Sequence, residues 1–380
     1  MINSGPGFGS GSGRSGGRWR ADGSGLWPCA RVPCRAGAGR PALRSRPSGV
    51  RICLAHGGDI ADEGARLAAV GAASIQARDN ISFATESVAS AGSDLTIAAD
   101  DNLTQDLGAL FTAGNQITLS IDLGDADAPR ATMALRGALE AQAIEMLGGA
   151  DDDIFRISVT AIDGNTNLTN LRAGAGAGAG GFANPLERIN YDETINARVR
   201  IKAGLGNDMF AMDDNSTLLT LDGGIGDDTF QIGQVFGSER LPGNVAPGDE
   251  IATVNTTSGF LSRGNSVATV LYGGTGNDIF RVYSNQASLR MEGEAGDDNF
   301  LLRAFLLSDS DGSSLAGKSV LNAGAGDDQI RYNVNAPVDI DGGTGFDRVV
   351  AVGTEANDTF LITKDGIFGA GLSVTLSGVE

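Results

Sequence analysis

Histidine, cysteine, tryptophan and lysine are nearly missing from this chain, and the few copies are unevenly spread. The one histidine (His56), the three cysteines (Cys29, Cys34, Cys53) and both tryptophans (Trp19, Trp27) all precede residue 59. Residues 59–380 therefore hold no thiol and no imidazole, which excludes most zinc sites, redox pairs, thiol chemistry and histidine-based triads there. No run of eighteen apolar residues exists, so no membrane-spanning helix is expected. The opening MINSGPGFGSGSGRSGG has no apolar stretch, so it shows no signal-peptide pattern.

What is abundant is glycine, 57 of 380 residues, together with acid. The charge is split. Residues 1–58 carry nine arginines against Asp22 alone, whereas residues 59–380 carry nineteen bases and forty-six acids, a net charge of −27. An acidic body argues against nucleic acid and favours cations or solubility. Residues 1–58 read as a disordered, basic, low-complexity leader, foreign to the rest of the chain. The spacing Cys29-x4-Cys34…Cys53-x2-His56 has the residue types of a zinc site but no strand or helix pattern around it.

Down the second half a motif recurs, G-G-x-G-[ND]-D-x-F-x-[VI]. GGIGDDTFQI (from Gly223) and GGTGNDIFRV (from Gly273) are its fullest copies; looser ones begin at Gly148, Ala203, Gly293, Ala323, Gly342 and Gly353. Aligned on the sixth position, the aspartates are Asp153, Asp208, Asp228, Asp278, Asp298, Asp328, Asp347 and Asp358, with gaps of 55, 20, 50, 20, 30, 19 and 11 residues. A fixed period joining a Gly/Asp turn to a β-prone run predicts a solenoid whose repeats bury their apolar faces against one another. Short gaps suit one coil each; long ones predict surface insertions, at about residues 165–195 and 233–266. Two positions past each aspartate stands Phe155, Phe210, Phe230, Phe280, Phe300, Ile330, Val349 or Phe360, expected to point inward as core.

A quieter repeat precedes residue 148: the segment 75–81 aligns with 97–103, twenty-two residues on. Its alternation of apolar and small or polar residues, broken by Asp-Asn, predicts strand, turn, strand. This stretch, about residues 70–147, resembles the repeats of filamentous haemagglutinin-type surface proteins, which implies a right-handed parallel β-helix. From residue 148 the motif resembles the repeats-in-toxin nonapeptide, G-G-x-G-x-D-x-U-x, of haemolysin-type calcium-binding proteins. That resemblance implies a parallel β-roll with calcium between successive turns. Carried onto this chain, it implies calcium sites built from the eight aligned aspartates and from Gly204, Gly224, Gly226, Gly274, Gly276, Gly296, Gly326 and Gly343. The chain departs from the family in spending about twenty residues on one acidic turn, where a roll fits two nonapeptides into each coil. Calcium is therefore expected along one edge only, between Asp208 and Asp228, Asp278 and Asp298, and Asp328 and Asp347.

The expected architecture is all-β: a disordered leader (1–58), coils without acidic turns (59–147) and coils with them (148–380), forming a right-handed parallel β-helix or β-roll-like solenoid. Calcium suits the turns because it takes six to eight oxygens in relaxed geometry. Glycine lets carbonyls converge beside a carboxylate. The competing reading needs no metal, since Asn-Asp and Gly-Asp are ordinary turn formers whose carboxylates accept amide hydrogen bonds. An enzyme of the polysaccharide lyase or epimerase type is the alternative from another class, with Arg198, Arg200 or Lys202 as base. Alternating Arg and Lys, however, also describes the solvated face of a strand. No base, acid and oxyanion constellation is visible, so a non-enzymatic role is expected. The resemblances imply a secreted or surface-displayed scaffold or adhesin, a slice of a larger repeat protein. Its partners would be calcium, surface glycans or other surface proteins, with an uncapped C-terminal edge open to self-association.

Overall fold

The computed structural model describes residues 19–21, 52–56, 60–62, 64, 66–106, 108–122, 131–149, 153–158, 188–191, 195, 197–215, 217–244, 252–256, 259–303, 319–333, 338–353, 357–369 and 372–379. No helix occurs among them, and the fold is all-β, dominated by parallel pairing. Two long sheets carry most strands. We call them the entry and exit sheets, because each acidic turn leads out of the first and into the second.

The entry sheet has fourteen strands and the exit sheet thirteen. Successive entry strands Arg198–Leu205, Leu219–Ile225, Thr269–Thr275, Leu289–Ala295, Ser319–Ala325 and Val338–Thr344 pair in parallel. The exit strands Met209–Asn215, Thr229–Ile232, Ile279–Val282, Asn299–Leu302, Gln329–Asn333 and Arg348–Val352 do the same. Each circuit of the chain thus lays one strand on each sheet, in register with the circuit before.

Alternation explains what is buried. Leu219 and Leu221 point into the core while Thr220 and Asp222 point outward, and the next circuits repeat the choice at Leu271, Met291, Leu321 and Ile340. On the exit sheet the predicted phenylalanines form one stack. Ring centroids are 5.9 Å apart from Phe155 to Phe210, then 5.0, 4.9 and 4.6 Å through Phe230, Phe280 and Phe300. Ile330 continues the column. A single core joins the inner faces of both sheets, so their outer faces look away from each other.

Before residue 148 each circuit adds a third side. Strands Arg66–Ala69, Val88–Ala91, Leu110–Ala113 and Ala138–Glu140 form a four-stranded parallel sheet, and Phe83 meets Phe111 edge to face at 4.6 Å.

Several sequence expectations change. Most of residues 1–58 lies outside the described residues, including Cys29 and Cys34. Ile52–His56, however, is already an entry strand paired with Ala73–Ala77, and Trp19–Ala21 pairs antiparallel with Ile60–Asp62. The leader is thus not wholly separate from the body. The insertion expected at 165–195 lies largely outside the described residues, yet Arg188–Tyr191 is a strand of the exit sheet. The insertion at 233–266 holds its own antiparallel sheet of Val235–Phe236, Thr253–Thr256 and Gly259–Ser262. The last strand, Leu372–Ser377, stacks in parallel on Val338–Thr344, but Gly366–Gly369 and Leu361–Thr363 fold back beside it antiparallel. A hairpin therefore covers the C-terminal edge of the entry sheet, where the sequence shows no capping element.

Candidate functional site

Each acidic turn is a place where backbone stacks on backbone. Gly224 and Gly226 have φ of 108° and 138°. A Cβ on them would lie 2.1 Å from the Gly204 carbonyl oxygen and 1.8 Å from that of Gly206, one circuit earlier. Glycine meets both demands at the least cost. The other glycines expected at the site, Gly204, Gly274, Gly276, Gly296, Gly326 and Gly343, share the positive φ. Glu294 adopts it too, at 73°, where the motif has lost its second glycine.

The aspartates form one unbroken column. The backbone N–H of Asp153 donates to Asp208 Oδ1 at 2.6 Å, and the amides of Asp208, Asp228, Asp278, Asp298 and Asp328 donate in turn to Asp228, Asp278, Asp298, Asp328 and Asp347, at 2.7–3.0 Å. The column crosses the 55- and 50-residue gaps without a break, so the expected pairs are members of a longer run. All seven are at most 2% exposed. The acceptor role is the one the metal-free reading assigned: Asp153 Oδ2 accepts from its own turn, the Gly149 N–H at 2.7 Å, whereas from Asp208 onward the amide on Oδ1 belongs to the neighbouring circuit.

The second carboxylate oxygen carries the chemical interest. Beside Gly223, Asp228 Oδ2 lies 2.0 Å from where a Cβ would stand, and the carbonyl oxygen of Gly273 in the next circuit lies 2.9 Å from that same point. Asp278 Oδ2 and the Gly293 carbonyl crowd Gly273 in the same way, and Asp298 Oδ2 and the Ala323 carbonyl crowd Gly293. Both acceptors thus crowd the Cα–H of the glycine, which leaves no room for a side chain there. The Oδ2 atoms of Asp228, Asp278 and Asp298 have no hydrogen-bond partner among the described residues.

Burial is the main cause pushing the Asp228 and Asp298 carboxyls up to about 8, and those of Asp278 and Asp328 to about 6. The amide hydrogen bond each accepts pulls downward, while repulsion from neighbouring acids adds to the rise.

A second ladder, with no counterpart among the sequence expectations, runs outside the first. Asn207 Oδ1 accepts the Asp227 N–H at 2.7 Å; Asp227, Asn277 and Asp297 accept from Asn277, Asp297 and Asp327, and Asp327 accepts from Phe346, at 2.8–2.9 Å. Here each side chain takes the amide of the following circuit. The inner ladder takes that of the preceding one, so adjacent residues of a turn tie it in both directions. The fixed [ND] at the motif's fifth position was the available signal. Asp122, 2% exposed and with its Oδ2 against Gly149, was also missed; nothing in the motif marks it.

Asp358 departs from the expectation. The strand that comes after it, Leu361–Thr363, joins the entry sheet antiparallel and does not extend the exit sheet. Phe360 accordingly is 37% exposed and outside the stack. Of the bases considered for catalysis, Arg200 pairs with Asp222 at 3.2 Å and Lys202 with Glu145 at 3.3 Å, cross-strand and solvated.

The residues fit calcium in one respect and limit it in another. Unpartnered buried oxygens beside carbonyls suit a hard cation. Yet no three His, Cys, Asp or Glu side chains converge to hold a metal among the described residues, so the remaining oxygens would come from backbone or water. No helix among them is long and apolar enough to cross a membrane. Compared with known proteins, the chain matches no protein family, no curated sequence and no solved structure.

Proposed function

We propose that this chain is a non-enzymatic structural or adhesive repeat protein of the extracellular or cell-surface type, wound as a right-handed parallel β-helix and stabilised by calcium along one edge. The observation that carries the cation is the buried carboxylate oxygen without a hydrogen-bond partner, repeated at Asp228, Asp278 and Asp298. Asp208, Asp228, Asp278, Asp298, Asp328 and Asp347 would supply the charge, and the turn glycines the carbonyls. The scaffold role rests on an elongated nearest-neighbour architecture with two of its three candidate bases, Arg200 and Lys202, in ion pairs. Surface glycans or other surface proteins are the partners such a body suits; its acidity speaks against nucleic acid.

Weak sites, with Kd of about 10⁻⁴–10⁻³ M, are the expectation for extracellular modules. Calcium at ten to a hundred times Kd then adds roughly 1.4–2.7 kcal/mol per independent site. Melting of the wild type and of Asp228→Asn, in calcium and in excess chelator, is the test. We expect a higher Tm with calcium, and a smaller rise in the variant. Identical wild-type melting in both conditions rejects calcium.

A second reading, a metal-free solenoid, is favoured by the amide bond that every column carboxylate already accepts. On that reading a proton sits on Oδ2, and Asp228→Asn raises the Tm in chelator, because an amide NH₂ points where the protonated oxygen was.

A further inference from the structure

We propose that this chain associates laterally with a second copy of itself, the outer face of the exit sheet in one molecule docking on the outer face of the entry sheet in the next. The inference is independent of the cation reading. Between Ile279 and Val350 the outward rows of the exit sheet hold Arg281, Arg331 and Arg348 and no acid, with Asn299, Leu301 and Gln329 among them. Arg331 and Arg348 are exposed and in no ion pair among the described residues. In a body of net charge −27 over residues 59–380, this is a segregated basic face.

The entry sheet supplies its complement. Asp339 and Asp341 face outward there, and Arg290, the one base among the described residues of the neighbouring entry strands, is bound to the buried Glu292. Beside them Val320, Asn322 and Thr375 complete a shallow groove of about 560 Å³.

Arg331 and Arg348 on one face and Asp341 on the other are the exposed charges that such a contact would pair. Both faces also mix charge with aliphatic side chains, Leu301 and Val350 against Val320, which suits a protein surface better than a sugar polymer. Because the two faces look away from each other, the contact is heterologous and does not close, and successive copies extend an array.

Sedimentation of the full chain at about 0.15 M and about 1 M salt, where the screening length falls from ~8 Å to ~3 Å, reads the association. We expect a weight-average mass of at least twice the monomer at the lower salt and monomer at the higher. Arg331→Glu/Arg348→Glu and, separately, Asp339→Arg/Asp341→Arg should each be monomeric with unchanged circular dichroism. An equimolar mixture of the two double variants should associate again, since each then offers the charge the other lacks. A monomeric wild type, variants that associate like it, or a mixture that stays monomeric each overturns the proposal. So does a monomeric wild type that instead binds polygalacturonate through these arginines, which would give the basic face another occupant.

Discussion

The circuits before residue 148 and those after it solve one problem with different side chains. In both, the turn from the entry to the exit sheet is tied to the neighbouring circuit by a side-chain oxygen on a backbone amide. In the earlier region the oxygen belongs to asparagine: Asn80 Oδ1 accepts from the Asn102 backbone and side-chain amides at 3.2 and 2.7 Å, and Asn102 Oδ1 accepts from the Thr132 N–H at 2.8 Å. Such a ladder is neutral and half-exposed. In the later region the oxygen belongs to a buried aspartate. Asparagine suffices for the amide bond alone, so the aspartates differ in what their second oxygen does, and stacking them adds a charge that a proton or cation must balance.

The comparison can be broken at its core first. Phe280→Ala should cost about 3–5 kcal/mol, and Phe111→Ala a similar amount, because each leaves a cavity in a column that neighbours cannot collapse into. Hydrogen exchange should show each loss centred on the circuits beside the mutated one; a uniform loss across both regions would reject nearest-neighbour stability.

The two ladders should separate sharply with pH. In chelator, the raised carboxyls of Asp228, Asp278, Asp298 and Asp328 mean that the folded chain binds more protons than the unfolded one between about 4 and 8. Stability of the later region therefore falls as pH rises through that window and stays low above it. The asparagine-tied region should hold its exchange protection throughout. Added calcium should recover more at pH 9 than at pH 5, with protons released on binding.

A smaller effect comes from Asp298→Asn. In chelator at pH 9 it should stabilise by about 1–3 kcal/mol, the usual penalty of an unsatisfied buried group; in saturating calcium the same change should destabilise if the cation is held there. The smallest is Asn102→Ala, at about 1 kcal/mol and flat with pH. A steep pH dependence in that variant would show that the two regions do not unfold separately.

Much of this was legible in the sequence because it is local. Period-two alternation gave the inward positions of Phe210, Phe230 and Phe280, and the Gly-x-Gly spacing gave the turns. What was hidden is non-local. Motif spacing places Asp228 and Asp278 in neighbouring coils, but it does not show that the Asp228 N–H donates to the Asp278 carboxylate. The third sheet of the early circuits lies in short runs such as Val88–Ala91, too small-sided to stand out from turn. Asp358 matched the motif at its aspartate and phenylalanine but carries Thr354 and Ala356 where most earlier copies have glycine. Nothing in that match shows that Leu361–Thr363 pairs antiparallel within the entry sheet.

The unbroken aspartate column across the long gaps bears on how such a chain can evolve. Closing a longer loop is a mild entropic burden, about 0.6 kcal/mol for each doubling of length. The junctions between Asp153 and Asp208 and between Asp228 and Asp278 are therefore mounting points, where lineages can exchange whole appendages while the spine keeps its register. The small sheet between Val235 and Ser262 is one such appendage. Diversity in a protein of this design is expected to accumulate as side branches, with the axis that bears them left nearly unaltered.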